Sequence, residues 1–501
     1  MLRRMLFDLP LMRSGVFREH AFPQLGLSSA QGITFPAILL GLISTFLNSF
    51  PVRPQGNIKR HPEGGPGNDE QKDPEDSDTQ TQEERGRTGL GRIFASFSHR
   101  NYQLYYIGHG TSLIGTWMQV TAEGWLVYQL TGSPLALGLV RFLHAIPVTL
   151  FTIPGGTFAD RFDKRRILLA TQTLSMTLAF VLFGLVYTER IEVWHVGLLG
   201  MFLGFANAFD IPARQSFIID IVGKKDLMNA IVLNSSMFNG ARIVGPALAG
   251  LLISFAGMAT CFLVNAFSFL AVILSYLCMK LPKTDRPPLQ KSMRHETMEA
   301  VRFVRANKNV ASVLVLVATA SVFGICYVVL LPVFAKDILH VGPGGYGYLM
   351  TSNGIGALLG AFALASFGDR FSRKSLLYTG ILGFSTALLF FALSRHFWLT
   401  SFLLACAGWF MILFFSTANT IVQLATPDSI RGRVMGIYSF CFIGLSPFGG
   451  LFAGVNARMT SAVIAVVFSA TVCILVTLVL WWNSPNDRNP FSPNPKTHQK
   501  D

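Results

Sequence analysis

The sequence predicts an all-α membrane protein with twelve transmembrane helices, arranged as two pseudo-symmetric bundles of six. Of its 501 residues, 51% are hydrophobic and only 14% are charged, which is less charge than a soluble domain usually carries. The hydrophobic residues form blocks of about twenty, the length that crosses a bilayer as a helix. The second half of the chain also repeats features of the first, and internal repeats are typical of transporters.

The repeat is clearest in two short charged segments that follow apolar blocks. Residues 155–166 read GGTFADRFDKRR, and residues 365–374 read ASFGDRFSRK. The same spacing relates further residues of the two halves: Pro134 to Pro343, Gly138 to Gly347 and Gly115 to Gly324. These matches indicate two copies of one six-helix unit, each with a charged hinge between its second and third helices.

Residues 1–100 form an N-terminal extension that differs from the rest in composition. Residues 53–92 are rich in Pro, Gly, Glu, Asp, Gln and Thr, a composition that cannot bury a core and predicts disorder. The apolar run 33–52 contains two prolines and is barely long enough to span a bilayer. It fits an extra anchor, a signal-like segment, an interfacial helix or an over-long gene start.

Twelve apolar segments follow, and each should be a helix because backbone polar groups in lipid need internal partners. Continuous apolar runs exclude the alternating strands of a membrane barrel. The first bundle, 101–280, has the segments 104–129, 136–157, 167–187, 195–219, 230–255 and 259–280. After a polar linker, 281–309, the second bundle, 310–483, has the segments 311–335, 344–367, 375–394, 398–423, 434–457 and 460–482. Residues 484–501 form a polar tail.

Basic residues in the loops predict the orientation of the helices. Most loop Lys and Arg residues fall on one side, and the opposite loops hold only Arg190, Lys336, Arg395 and Arg458. The basic side should be cytoplasmic. This places both ends of the twelve-helix core inside, in a multi-pass protein of the cell (inner or plasma) membrane. The formal net charge of +14 therefore reflects topology and does not predict nucleic-acid binding.

Motifs for enzymatic chemistry are absent from the sequence. It has no GxxxxGK[ST] phosphate loop, no HExxH motif and no His/Cys cluster with metal-ligand spacing, so ATP drive and metal catalysis are not predicted. The six cysteines are scattered through apolar blocks without a CxxC pair, as expected for inert buried thiols. The sequence therefore predicts no enzyme activity, no metal and no cofactor.

Four strings in the core, about 101–483, carry a resemblance to a known family. They are GTWMQVTAEGWLVYQLTGSPLALG at 115–138, the loop at 156–166, NAIVLNSSMFNGARIVGPALAG at 229–250 and PDSIRGRVMGIY at 427–438. They resemble the major facilitator superfamily, and within it the bacterial drug and siderophore exporter branch that includes the enterobactin exporter. The chain departs from the family loop at Asp163, where the family usually has Gly, and at Ala365 and Ser372 in the second copy.

The charged loops predict a conformational latch between the halves. The resemblance implies that Asp160 meets the start of the eleventh helix, near Val434, where backbone N–H groups and the helix dipole favour an anion. Arg161 and Arg165 are placed to pair with Asp220. The predicted latch residues are Gly156, Asp160, Arg161, Lys164, Arg165, Arg166, Asp220, Asp369, Arg370, Arg373 and Lys374. The alternative is that the basic residues only keep the loop inside.

Charges inside the spans mark candidate coupling or substrate residues, since each costs about 2.5–3.5 kcal/mol at a helix centre. Glu123 lies near Gln119 in the first helix, and a carboxyl removed from water there could carry a proton or contact substrate. The alternative is a solvated Glu123 near the outer surface.

Further polar residues lie in the fourth and fifth helices. Asp210 and Arg214 are one helical turn apart and are placed to pair. Arg242 lies on a polar stripe of the fifth helix near Asn234 and Asn239. A purely structural role, in which Asp210 neutralises Arg214 or Arg242 and locks two helices, fits the sequence equally well.

The string ARIVGPALAG in the fifth helix contains Gly245, Pro246 and Gly250. Small residues at this spacing allow two helices to approach closely. Exporters of the family have a similar G-P-x-x-G element that is linked with proton exchange, so the resemblance implies an antiporter. Generic helix packing explains the same residues equally well.

Together these features predict a secondary active exporter of small amphipathic molecules that works by alternating access. Its predicted partners are the small-molecule substrate, protons and the lipid bilayer, with no nucleic acid and no second subunit. Two alternatives remain open: a facilitator or importer on the same fold, and a membrane scaffold or sensor that transports nothing.

Overall fold

The computed structural model describes residues 95–280 and 293–483, and the described residues contain no β-strand. The first six membrane helices are α1 (Arg100–Thr131), α2 (Pro134–Arg161), α3 (Lys164–Tyr187), α4 (Val193–Gly223), α5 (Lys225–Ala256) and α6 (Met258–Cys278). The second six are α7 (Lys308–Ile338), α8 (Gly342–Arg370), α9 (Arg373–Leu393), α10 (Phe397–Ala425), α11 (Arg431–Met459) and α12 (Ala462–Trp482). The all-α prediction is confirmed.

A helix also forms inside the predicted linker. This linker helix (Met293–Ala306) joins the two sets of six, and Glu299 on it pairs with Arg433 of α11 at 2.9 Å.

The apolar run 33–52 and the tail 484–501 lie outside the described residues, so the predictions for them stay predictions. The described residues all belong to one compact unit.

Within the described ranges, eleven helices are long and apolar enough to cross a bilayer. α1 is not among them, although its 32 residues give it ample length at about 1.5 Å per residue. It contains more polar side chains than the others, and several of these contact other helices. Tyr105 donates to Asn234 of α5 at 3.1 Å, and Asn265 of α6 donates to Gln119 at 2.6 Å. The polarity of α1 therefore serves contacts inside the bundle.

The helices that follow the two charged loops begin at equivalent side chains. Asp163 accepts the backbone N–H of Arg166 at 3.0 Å at the start of α3. Ser372 accepts the backbone N–H of Ser375 at 3.1 Å at the start of α9. Asp and Ser are both preferred at the N-terminal cap of a helix. Two of the departures from the family loop therefore act as matching caps.

The internal repeat also appears in how helices pack within each half. α2 packs on α4 so closely that a Cβ on Gly204 would lie 1.9 Å from the His144 carbonyl oxygen. α8 packs on α10 in the same way, and a Cβ on Gly408 would lie 2.0 Å from the Asn353 carbonyl oxygen. His144 and Asn353 are related by the spacing of the repeat, which supports the pseudo-symmetry of the two bundles.

Because successive helices alternate in direction, the membrane-spanning part has two distinct faces. We call the face at which α2 and α8 end, and at which the linker helix lies, the linker face. The opposite face, at which α2 and α8 begin, is the far face. These names do not depend on which face is cytoplasmic.

Candidate functional site

Two pairs of helices bring the halves into close contact near the far face. A Cβ on Gly347 of α8 would lie 2.5 Å from the Pro246 carbonyl oxygen and 2.9 Å from the Gly250 Cα of α5. A Cβ on Gly138 of α2 would lie 2.6 Å from the Gly450 carbonyl oxygen of α11. Backbones can approach this closely only where the side chain is missing. Gly138 and Gly347 are equivalent in the repeat, so the two contacts are symmetric copies.

The far face is also closed between α1 and α7. The Tyr128 hydroxyl donates to the Asp337 carboxylate, and the Lys336 ammonium lies 5.5 Å from the centre of the Tyr128 ring. Tyr128 and Asp337 are 209 residues apart, which is the repeat spacing, so the bond joins equivalent positions near the pseudo-twofold axis. The rings of Trp125 and Tyr346 stack beside it, with centroids 5.9 Å apart.

The charged loop at the linker face contacts its own half. Lys164 Nζ lies 2.7 Å from Asp220 Oδ2, and Arg165 donates to the Leu277 carbonyl at 2.8 Å. The structure therefore pairs Asp220 with Lys164, whereas the sequence had suggested Arg161 and Arg165 as its partners. Successive residues of a helix point about 100° apart, so Arg165 faces α6 when Lys164 faces α4.

Asp160, the acidic residue of the predicted latch, is exposed. Its carboxylate makes no hydrogen bond or ion pair with any described residue, and no side chain caps the start of α11 at Ile430. The predicted contact between Asp160 and α11 is therefore absent in this conformation, in which the far face is closed. A Cβ on Gly156 would lie 3.9 Å from Pro212 Cβ, an ordinary van der Waals distance, so no close helix approach depends on this glycine in the present conformation.

The second copy of the loop is arranged in the same way. Asp369 is exposed and makes no ion pair within the described part of the chain. The Arg370 guanidinium lies 5.2 Å from the ring centre of Phe367 in its own half. The remaining latch candidates lie at the adjoining helix ends, with Arg161 and Arg166 exposed and Arg373 and Lys374 partly buried.

A buried chain of polar side chains leads from α6 to Glu123. Ser268 donates to Asn265 at 3.0 Å, Asn265 donates to Gln119 at 2.6 Å, and Gln119 donates to Glu123 at 2.7 Å. Glu123 itself is only partly buried. One of its oxygens is therefore held by the bundle interior, while the carboxyl still has accessible surface toward the contact between the halves.

Arg141 of α2 is a charged residue that the sequence reasoning missed. Its Cγ is 3.5 Å from where a Cβ on Gly450 of α11 would lie. Its guanidinium acts electrostatically on Glu123 of α1 and Tyr346 of α8. Because α1, α8 and α11 lie around Arg141 while its side chain stays exposed, we infer that it faces a cleft between the halves. Its position within the predicted span 136–157 was the signal that could have revealed it.

A second polar cluster lies inside the first bundle, around Asp210 of α4. The buried Asp210 is 3.3 Å from Arg214 and accepts hydrogen bonds from Thr171 at 3.0 Å and Gln172 at 2.8 Å. Arg214 also contacts His109 Nε2 at 2.8 Å. The sequence indicated the Asp210–Arg214 pair, but the ring of His109 had no signal beyond its place in an apolar span.

Arg242 lies away from Asp210, in the middle of the contact between α5 and α8. It donates to the side-chain oxygen of Asn353 at 2.9 Å, and Tyr327 of α7 acts on it electrostatically. The neighbouring Asn239 donates to the Ser235 carbonyl at 2.9 Å. Of the two salt-bridge partners considered for Asp210, the structure therefore brings only Arg214 to it.

The ARIVGPALAG string contacts both halves. A Cβ on Gly245 would lie 2.5 Å from the Trp117 Cβ of α1, while Pro246 and Gly250 face α8. The string thus forms part of the closed far face. Helix packing accounts for Gly245 and Gly250, and any additional part of the string in proton exchange stays a prediction.

No group of three or more His, Cys, Asp or Glu side chains in the described ranges is arranged to hold a metal ion. The polar residues around the cleft are instead suited to hydrogen bonding and charge recognition. Four of them lie where the two halves meet: Glu123 on α1, Arg141 on α2, Arg242 on α5 and Asn353 on α8.

Comparison with known proteins assigns this arrangement to a family. The chain is 24% identical over 374 residues to the staphyloferrin A transporter of Staphylococcus aureus, covering 74% of this chain and 92% of that protein. It is 26% identical over 354 residues to the multidrug efflux pump Tap of Mycolicibacterium fortuitum, covering 69% and 86%. Both relatives are transporters, in agreement with a sequence that lacks enzyme motifs.

A solved structure with a similar fold is the nucleoside transporter NupG. It superposes with a TM-score of 0.60 at 14% identity, covering 76% of this chain and 98% of that one. A family model described as "Transmembrane secretion effector" matches residues 92–489. The chain therefore belongs to the transmembrane secretion effector family of the major facilitator superfamily.

Proposed function

We propose that this protein is a secondary active exporter of small amphipathic molecules that alternates between two conformations and is coupled to protons. The observation that carries the proposal is the asymmetry between its faces. Close backbone contacts and the Tyr128–Asp337 bond hold the far face closed, while Asp160 at the linker face has no described partner. This is the arrangement expected of one end state of a transporter that opens to each face in turn.

The proposed orientation in the membrane and the proposed coupling to protons both follow from where the charged residues lie. The basic loops favour a cytoplasmic linker face in the cell membrane, so the conformation described would be open inward. Glu123 is the proposed proton carrier because, among the described residues, it is the one carboxyl that borders the cleft and is also tied to a buried polar chain. The protein would act as a monomer, since each chain contains both halves of the pathway.

The name of one relative, a multidrug efflux pump, supports the proposed direction. The name of another, a staphyloferrin A transporter, supports a small-molecule substrate. A substrate panel in inside-out vesicles, with and without a pH gradient, tests the proposal. Uptake that collapses with the gradient supports an antiporter, and gradient-independent equilibration indicates a facilitator. If no compound crosses the membrane while the protein is correctly inserted, the scaffold alternative is correct.

Replacing Asp160 with asparagine should weaken the latch in the opposite conformation. Loss of a carboxylate at a helix start costs about 1–2 kcal/mol, which lowers the population of that conformation about five- to thirtyfold. Transport should fall accordingly, with normal membrane insertion. Spin labels at Phe162 and Gly432, on the linker-face ends of α2 and α11, should report fewer short distances.

The matched control for this variant is Asp163→Ser in the same loop. The serine removes the charge at position 163 but can still cap the start of α3, because Ser372 caps the start of α9 in the second half. Transport by the control should stay close to wild type. Equal losses in both variants would mean that loop charge in general, and not the latch, controls transport.

Replacing Tyr128 with phenylalanine should have the opposite conformational effect. The change removes the hydroxyl that donates to Asp337, a bond worth about 1.5–3 kcal/mol when the acceptor is charged. Spin labels at Ser133 and Thr460, on the far-face ends of α2 and α11, should therefore separate in a larger fraction of molecules. Tyr187→Phe is the control, since Tyr187 is 72% exposed at the end of α3. An unchanged distance distribution for Tyr128→Phe would show that this bond does not hold the far face closed.

A further inference from the structure

The charges that border the cleft between the halves are unbalanced. Two arginines, Arg141 and Arg242, lie where the halves meet. Among the described residues, Glu123 is the one carboxyl that acts electrostatically on Arg141, and no carboxyl acts in this way on Arg242. Neither arginine lies within 4.0 Å of a carboxylate among the described residues. By contrast, Arg214, inside the first bundle, has Asp210 as a direct partner.

Arg242 is the more informative of the two arginines. It lies in the middle of α5, between α7 and α8, and its side-chain hydrogen bond goes to the neutral amide of Asn353. Asn353 is held in turn, because its amide nitrogen donates to the Leu404 carbonyl of α10 at 3.1 Å. The Asn353 oxygen therefore faces Arg242 and fixes the direction of the guanidinium without neutralising it.

A cation buried at this depth is costly unless an opposite charge accompanies it. The guanidinium has five N–H donors in a planar fork that matches a carboxylate, and the Asn353 oxygen uses one of them. The remaining donors border the cleft, where Arg242 keeps accessible surface. Apolar rings are close by, since Trp117 of α1 packs edge-on against Phe238 of α5, with centroids 5.6 Å apart.

We propose that the transported molecule is an amphipathic organic anion whose carboxylate binds Arg242 in the cleft, with Arg141 as a second cation that attracts it. This inference deepens the proposed transport function and rests on it. The substrate supplies the missing negative charge, and Asn353 orients the guanidinium toward it. Lipophilic cations, in contrast, would be repelled by the two arginines.

Binding of a matched pair of probes to the purified full-length protein tests this proposal. Dansyl-phenylalanine is an amphipathic carboxylate, and in its methyl ester an uncharged group replaces that carboxylate. Fluorescence titration should give a dissociation constant for the acid that is lower than that for the ester by about tenfold or more, the change expected for a charge-assisted hydrogen bond. Equal affinities for the acid and the ester would overturn the proposal.

Two variants separate charge recognition from helix packing. Arg242→Gln removes the cation, whereas Asn353→Asp keeps it and places a fixed carboxylate beside it. Both should weaken binding of the acid about tenfold or more and leave binding of the ester unchanged. If Arg242 served only to hold α5 against α8, Asn353→Asp would strengthen that contact and would not weaken binding of the acid. Arg242→Lys, which keeps the charge, should retain part of the affinity. Wild-type affinity of Asn353→Asp for the acid would contradict the proposal.

Flux measurements in vesicles that contain the same variants distinguish this inference from the proposed function. Transport of dansyl-phenylalanine that is lost in Asn353→Asp supports both. Binding of the acid without any flux supports the anion site and contradicts the transport function. Transport of the cation ethidium, without binding or flux of the acid, supports a transporter and overturns the anion site.

Discussion

Gly250→Leu is expected to reduce transport by about tenfold or more, because the added side chain would overpack the contact between α5 and α8 at the far face. A Cβ on Gly250 would already lie 3.1 Å from the Gly344 carbonyl oxygen and 3.2 Å from the Gly347 Cα. These neighbours are backbone atoms of α8 and cannot rotate away. Overpacking at such a site costs about 1–3 kcal/mol, and the cost falls only on the conformation in which the far face is closed.

The expected mechanism of this loss is a shift of conformation. Spin labels at Ser133 and Thr460 should report wider separation of α2 and α11 at the far face in Gly250→Leu. The control is Gly184→Leu in α3, where no atom lies within 4 Å of the added Cβ, and it should transport like the wild type. If Gly250→Leu keeps both wild-type transport and wild-type distances, the close approach of α5 and α8 is not needed for the transport cycle.

Replacing Glu123 with glutamine is expected to abolish accumulation of substrate against its gradient. A pH difference of one unit supplies about 1.4 kcal/mol per proton, or about tenfold accumulation, but only if a carboxyl carries the proton. The glutamine can still accept the hydrogen bond from Gln119, so the polar chain from α6 is preserved. Accumulation in inside-out vesicles should become independent of the imposed pH gradient.

Exchange of substrate across the membrane tests the same variant without a proton gradient. Glu123→Gln should still exchange labelled for unlabelled substrate, because that process needs no net proton movement. Glu189→Gln is the control, since Glu189 lies in the exposed turn after α3. If Glu123→Gln keeps full gradient-driven accumulation, the proton is carried elsewhere, and the Asp210 cluster in the first bundle becomes the next candidate.

Several features of the fold were predictable because they are local or repeated in the sequence. The spans followed from the length and apolarity of each block, and eleven of the twelve helices meet both criteria. The pairing of Gly138 with Gly347 in the sequence indicated a duplicated unit, and the structure places both residues in symmetric contacts between the halves. Its physical basis is that a close helix crossing needs a residue without a side chain, and such a residue recurs when the crossing is duplicated.

The candidate site was predictable only in part. Glu123, Asp210, Arg214 and Arg242 stood out as charges in apolar spans, and the same criterion should have included Arg141. Asn353 gave no comparable signal, because an uncharged amide in a membrane helix is unremarkable until a cation is placed next to it. Its distance from Arg242 in the sequence is 111 residues, and no local pattern connects the two.

The sequence by itself determined the helices, the duplicated architecture, the membrane setting and the list of costly charges, since these depend on composition and spacing along one chain. Only the tertiary structure decided which charges meet: Lys164 with Asp220, Asp210 with Arg214, and Arg242 with Asn353. It also decided which face is closed. These outcomes depend on how each helix is rotated about its axis, and a shift of one residue turns a side chain by about 100° toward a different neighbour.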